Sequence, residues 1–389
     1  MSASGPSATD RQPARQPTAS SGPAAALPDP AEGLALVKPG VRAQAAYTLR
    51  APTAPRKLNQ NECPDDLPPE VKDAVLEAAE RAAWNRYPEF VPTRLLERLA
   101  EHYGWRGDGI LAGNGSNELI QAALAVLVAP GDTVVAPAPT FSLYRLLSGV
   151  LGARYLPVPL GPDFEYEPDR IIEAAARERA RVVVLNTPNN PTGSTLPPGA
   201  VERIVAETGA MVVCDEAYQE FGGATAVPLL QQTARLIVLR TFSKAMGMAG
   251  LRFGVALAHP DVAREVAKGK LPYNVNQITL AAASVALDHA PLLAARTRAI
   301  VDTRDRFLPR LRRIPGLTVY PTGANFVLIR CRTLPARELF RRLLEEHGIL
   351  VRDVSGGAEL AECLRISVGT PEDMDAVLAA LQAILGGTA

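Results

Sequence analysis

Lysine is rare in this chain: six residues, Lys38, Lys57, Lys72, Lys244, Lys268 and Lys270, stand beside 35 arginines. Chemistry that needs a neutral amine must use one of these six, and the amine must be desolvated or flanked by cations to lose its proton near neutral pH. Lys244 has that setting. It follows the apolar run Leu236–Arg240 and the hydroxyl pair Thr241-Phe-Ser243, and Arg252 lies eight residues on. Three further polar clusters also come directly after short apolar runs. Ile110-Leu111 leads to Gly113-Asn-Gly115-Ser116-Asn117-Glu118, Val182–Leu185 to Asn186-Thr-Pro-Asn-Asn190-Pro-Thr-Gly193, and Met211–Cys214 to Asp215-Glu-Ala-Tyr218.

Each cluster alone has an ordinary reading: a capped turn, a satisfied strand-end acid, a solvated lysine. Together they are more specific. The Gly113–Glu118 turn opens a helical run, and the free N–H groups and dipole of a helix N-terminus attract an anion. It lacks the third glycine of a dinucleotide fingerprint and the Gly-Lys-Ser/Thr of a P-loop, so those ligands are demoted. An aspartate after four buried apolar residues is costly without a cationic partner. An anion cradle, a buried acid, a lysine, and an arginine beside hydroxyls match the needs of pyridoxal 5'-phosphate (PLP): a phosphate site, an acid for the pyridine nitrogen and a lysine for the aldehyde.

The elements that must position these groups alternate. Val71–Ala83 and Thr93–Tyr103 carry apolar residues at three- and four-residue spacing, predicting amphipathic helices. Thr133–Ala136, Val182–Leu185, Met211–Cys214 and Leu236–Leu239 are continuous apolar runs, as expected of strands covered on both faces. With helical stretches between them, they predict an α/β fold whose ligand crevice lies beyond the carboxyl ends of the strands. A long helix is expected from about Ala281 to about Leu311. After it, Leu317–Tyr320, Phe326–Arg330, Ile349–Arg352 and Cys363–Val368, with a helix over Ala336–His347, suggest a smaller α+β domain. Residues 1–32 are rich in Ser, Ala, Pro and Gly and cannot bury enough apolar surface to offset their ordering, which predicts a disordered tail. The expected layout is that tail, an arm over 33–75 joining the small domain, a large PLP-binding domain over 76–280 and a small domain over 281–389.

The composition supports this by exclusion. Forty-one basic and 41 acidic side chains cancel, so no global field favours nucleic acid or an anionic membrane. Four scattered histidines and four cysteines without a C-x-x-C pair offer no metal or disulfide framework. No apolar run reaches the ~18–20 residues of a membrane span and no secretory signal is evident, so a cytoplasmic location is expected.

These motifs, in this order, resemble those of the fold-type I, PLP-dependent class I/II aminotransferases, from about Leu36 to the C-terminal helix. Asn190-Pro-Thr-Gly193, Asp215-Glu-Ala-Tyr218 and Ser243-Lys244 with Arg252 carry the resemblance. Lys57-Leu-Asn-Gln-Asn-Glu62, Arg86-Tyr87-Pro88, Gly113-Asn-Gly-Ser116, Pro139-Thr-Phe141, Ile349–Arg352 and Leu364–Gly369 point within it to the histidinol-phosphate aminotransferase family. The resemblance implies a large domain with a central mixed, mostly parallel sheet and a smaller α+β domain. It implies Lys244 as the Schiff-base lysine and proton carrier, Asp215 on the ring nitrogen, Asn190 and Tyr218 on the ring oxygen, and Phe141 stacked on the ring. Gly115, Ser116, Asn117, Thr241, Ser243 and Arg252 would hold the phosphate. Tyr87 would reach the phosphate of a partner subunit, implying a homodimer. Arg365 would take the substrate carboxylate, and Arg352, helped by Tyr47, a substrate phosphate. The family more often has Asp at position 117 and Asn at position 63, where this chain has Asn117 and Cys63. An aminotransferase for phenylalanine or another unphosphorylated amino acid, a phosphothreonine decarboxylase-like enzyme, and a regulatory PLP-fold domain are the rival readings. The last is disfavoured because Lys244, Asp215 and Arg252 are all intact.

Overall fold

The computed structural model describes residues 29–45 and 52–386. The tail expected over 1–32 lies, up to residue 28, outside the described residues. The described residues before Gln44 form two short helices, Ala31–Ala35 and Pro39–Arg42.

From residue 52 onward the chain contributes thirteen strands: β1 (Arg56–Lys57), β2 (Ile110–Asn114), β3 (Thr133–Ala138), β4 (Arg154–Pro159), β5 (Val182–Asn186), β6 (Met211–Asp215), β7 (Leu236–Thr241), β8 (Phe253–Ala258), β9 (Leu317–Val319), β10 (Phe326–Cys331), β11 (Ile349–Leu350), β12 (Arg352–Asp353) and β13 (Cys363–Ser367). Seven form the main sheet in the order β2-β8-β7-β6-β5-β3-β4. Strands β3 to β7 pair in parallel, and β8 runs antiparallel to both β7 and β2. The four runs expected as strands are β3, β5, β6 and β7, each one or two residues longer at its carboxyl end. β4 and β8 are additions to those runs: β4 is largely uncovered, and β8 carries Gly254, which weakens a strand pattern.

Strand alternation sends the two faces of this sheet into two cores. Val183, Leu185, Val212 and Val238 pack with the helices Pro69–Glu80, Thr93–Tyr103, Pro168–Arg177 and Gln277–Asp288. Val182, Val184, Val213 and Ile237 pack with Ser116–Leu127, Leu143–Leu151 and Pro260–Ala267. The result is a three-layer sandwich, which explains the unbroken apolar runs. The single helix expected from about Ala281 to Leu311 is instead two, Gln277–Asp288 and Ala290–Leu311, set at 82°. Asn276 caps the first through Thr279 N–H at 2.9 Å, and Pro291, lacking an N–H, opens the second from its first turn.

A second, antiparallel sheet of order β12-β13-β10-β9 packs on Ala290–Leu311, Ala336–His347 and the C-terminal helix Pro371–Gly386. The run Ile349–Arg352, expected as one strand, is divided: β11 pairs in parallel with β1, while β12 joins β13. The β1–β11 pair ties the segment around residue 56 to this C-terminal layer, where Leu58 shares its core. No single helix among the described residues is long and apolar enough to cross a membrane.

Candidate active site

Because β2, β3, β5, β6 and β7 point the same way, their carboxyl ends lie along one edge of the sheet, and the polar clusters of the sequence are their continuations. β8 runs the other way, so its first residue starts at that same edge and brings Arg252, just ahead of it, back beside Ser243. Arg252 Nη1 donates to Ser243 Oγ at 3.1 Å. A cavity of about 620 Å³ opens along this edge. It gathers Ser116, Asn117, Phe141, Asn190, Asp215, Tyr218, Thr241, Ser243, Lys244 and Arg252 from the large sheet, and Arg352 and Arg365 from the small one.

Its base is an anion cradle. Helix Ser116–Leu127 begins at the edge, behind Gly115 at φ 75°. A Cβ on Gly115 would stand 2.6 Å from Arg252 Nη2, and one on Gly254 of β8 would collide with the Ser116 amide. Two glycines therefore let the helix N-terminus and the guanidinium approach one point.

In the middle sits the acid. Asp215 is only 3% exposed. Its Oδ2 accepts the Tyr144 O–H at 2.6 Å and its Oδ1 accepts Ala217 N–H at 3.1 Å. Burial pushes the carboxyl up from its ordinary range, and these two donors pull it back down. Across the cavity the Lys244 ammonium donates to Gln60 O at 2.9 Å. Burial, and then the charge of Arg365, lower its pKa to about 8, with Glu62 opposing. Tyr218 O–H lies within 3.4 Å of Asn190 Nδ2 and 3.0 Å of Asn61 Nδ2.

The two arginines from the small sheet meet by strand register. Arg352 on β12 stands directly opposite Arg365 on β13. Arg365 is held by Asn59 O at 2.8 Å and by the side-chain oxygen of Asn190, and lies over the Phe326 ring.

Two predicted residues are not in this group. Tyr87 is 79% exposed and stacks on Tyr273 at 4.5 Å, away from this chain's own cavity. Tyr47 lies outside the described residues. Others were missed. Asn59, Gln60, Asn61 and Glu62 line the cavity, and Tyr144 supports the acid. The first four were visible only as a motif, whereas Tyr144, one helical turn past Phe141, reads as an ordinary core aromatic.

Residues 55–381 match the family model "Aminotransferase class I and II". The chain belongs to the class I and II aminotransferases. A histidinol-phosphate aminotransferase from Chlorobium phaeovibrioides is 37% identical over 355 residues, spanning 91% of this chain and 98% of that protein. Another, from Chlorobaculum parvum, is 38% identical over 350 residues, spanning 90% and 98%. The crystal structure of histidinol-phosphate aminotransferase from Sinorhizobium meliloti in complex with pyridoxal 5'-phosphate superimposes with a TM-score of 0.82 at 28% identity, over 90% of this chain and 98% of that one. Aminotransferases of this family depend on PLP. The residues present fit that group. The glycine-lined cradle beside Arg252 suits a phosphate, Asp215 is a buried acceptor, and Lys244 is an amine poised to lose its proton.

Proposed function

We propose that this aminotransferase moves an amino group between L-histidinol phosphate and 2-oxoglutarate, giving imidazole-acetol phosphate and L-glutamate, a step of histidine biosynthesis. The carrying observation is the register of Arg352 against Arg365. Like charges directly opposite across two strands are destabilising unless an anion lies between them. A carboxylate on Arg365 and a phosphate on Arg352 suit the two guanidinium forks, whereas an apolar substrate side chain gives the Arg352 fork no anion to bind.

When bound, PLP supplies an aldehyde and an electron-poor ring that accepts negative charge from the substrate's α-carbon. The chain's own groups do the rest. The Ser116 amide, Asn117, Thr241, Ser243 and Arg252 hold the phosphate. Asp215 keeps a proton on the ring nitrogen, Asn190 and Tyr218 orient the ring oxygen, and Phe141 covers the ring face. Lys244 Nζ would take the proton from the substrate's α-carbon and give it back at the former aldehyde carbon, two atoms away. Tyr87, exposed on this chain, fits a role in the cradle of a second copy, so the working unit is a homodimer. A cytoplasmic location accords with this chemistry.

The test is a half-reaction screen. Holoenzyme is mixed separately with histidinol phosphate, phenylalanine, aspartate and phosphothreonine while the visible band of the cofactor is followed. Conversion by histidinol phosphate is expected. Conversion by phenylalanine with none by histidinol phosphate, or release of carbon dioxide from phosphothreonine, would overturn the assignment.

A further inference from the structure

The acid of the site is supported from behind by a residue that no motif announces. Tyr144 is wholly buried in helix Leu143–Leu151, among Leu119, Ile120 and Ala123 of the neighbouring helix. Phenylalanine would fill that space without the cost of burying a hydroxyl. The hydroxyl is aimed instead at Asp215 Oδ2, 2.6 Å away, a distance typical of O–H donation to a charged oxygen. An ionised carboxylate only accepts, so this bond favours the charged form. With Ala217 N–H on Oδ1, it also leaves the carboxylate one orientation. The helix carrying Tyr144 starts just past Phe141, whose ring meets that of Tyr144 edge-on at 5.7 Å. One short helix thus sets both a cavity-lining ring and the acid.

We propose that Tyr144 is a positioning residue of the transamination site, holding Asp215 ionised and aimed at the place of the cofactor's ring nitrogen. This rests on the assignment of Asp215 above. Without the hydroxyl, the proton shared by Asp215 and the ring nitrogen shifts toward the carboxylate, and the ring becomes a weaker acceptor of charge.

The test compares Tyr144→Phe with Tyr166→Phe. Tyr166 is another buried tyrosine, but its O–H donates to the backbone oxygen of Asn186 rather than to a carboxylate. PLP affinity is measured on each apoprotein, single-turnover half-reactions with an amino donor on each holoenzyme, and thermal unfolding on both. For Tyr144→Phe, PLP affinity should fall about 10-fold and the half-reaction rate about 10–100-fold, with donor affinity little changed, as expected for loss of a hydrogen bond to a charged group. Tyr166→Phe should lower the unfolding temperature but leave both values within about 2-fold of wild type. If the two variants behave alike, Tyr144 is only a core tyrosine and the proposal fails. Asp215→Asn separates the two levels. If it abolishes the half-reaction while Tyr144→Phe does nothing, the proposal fails and the role of Asp215 stands. If Asp215→Asn itself has no effect, both fall.

Discussion

Lys244 should react as a neutral amine at a pH where an ordinary, solvated lysine cannot. At a pKa of about 8, about a tenth of Lys244 amines are unprotonated at pH 7, against roughly one in three thousand for a lysine at 10.5, a ~300-fold gain. Burial is the largest cause, and the charge of Arg365 is next, opposed by Glu62. The perturbations are therefore a pair with opposite signs. Arg365→Met should raise the amine's pKa and slow PLP uptake by the apoenzyme at pH 7, while Glu62→Gln should lower it and speed uptake. The assay is the rate of growth of the visible band when apoenzyme meets PLP, recorded from pH 6 to 10. Each variant should displace the midpoint from the wild-type value near 8, in opposite directions. The same shift appears in stability. The folded pKa is below the unfolded one, so the native apoenzyme binds fewer protons between about pH 8 and 10.5 and gains stability as pH rises through that window. The penalty below pH 8 is at most about 3 kcal/mol, and about 1–2 kcal/mol once water in the cavity screens the partly exposed ammonium. Lys244→Met should remove the part of that dependence that belongs to Lys244, read in urea unfolding as the difference from wild type, while Lys270, also lowered by burial, keeps its own share. A wild-type uptake midpoint above pH 10, or variants that shift the same way, would refute the reasoning.

Three further outcomes are expected. Arg352→Ala should lower kcat/KM for histidinol phosphate about 100-fold, the loss of a bidentate charged contact, while an unphosphorylated amino donor is little affected; equal losses on both would deny Arg352 a phosphate role. Gly115→Ala places a Cβ at φ 75° against Arg252, and should weaken PLP binding to the apoprotein about 10-fold or more, read by equilibrium dialysis. Behind Asp215, Arg240 pairs with Glu216 at 2.9 Å and Glu220 at 3.0 Å, all largely enclosed. Arg240→Met strands the buried Glu216 and the partly buried Glu220 and should cost about 3–5 kcal/mol in urea unfolding at pH 7. Burial already raises both carboxyl pKa values, and losing Arg240 raises them further. The folded variant then binds more protons than the unfolded chain, so its stability should recover from pH 7 toward pH 5; a loss independent of pH would contradict this cause.

The layered fold and most of the site were legible in the amino-acid order because both rest on local rules. A run such as Val182–Leu185, short, rich in β-branched residues and bounded by polar sequence, fits a strand covered on both faces, which puts the polar turn after it at the sheet's carboxyl edge. Asp215 and Lys244 stand at the ends of such runs, so their type and setting already specified an acid and an amine at one crevice. The break at His289 was hidden because alanine, leucine and arginine continue helical periodicity across it, and Pro291 is tolerated in a first turn.

What remained undecided depends on strand direction and on contacts between distant segments, neither of which is encoded in spacing. Only the antiparallel course of β8 returns Arg252 to Ser243, and only the β12–β13 register sets Arg352 against Arg365. Tyr144 and Asp215 meet 71 residues apart through helix packing, and Tyr87 proves to face outward, away from its own cavity. The sequence by itself determined which chemical groups would stand at the edge of the sheet. The tertiary structure alone decided which of them touch, because a hydrogen bond depends on ångström-scale distances that packing, not local propensity, sets.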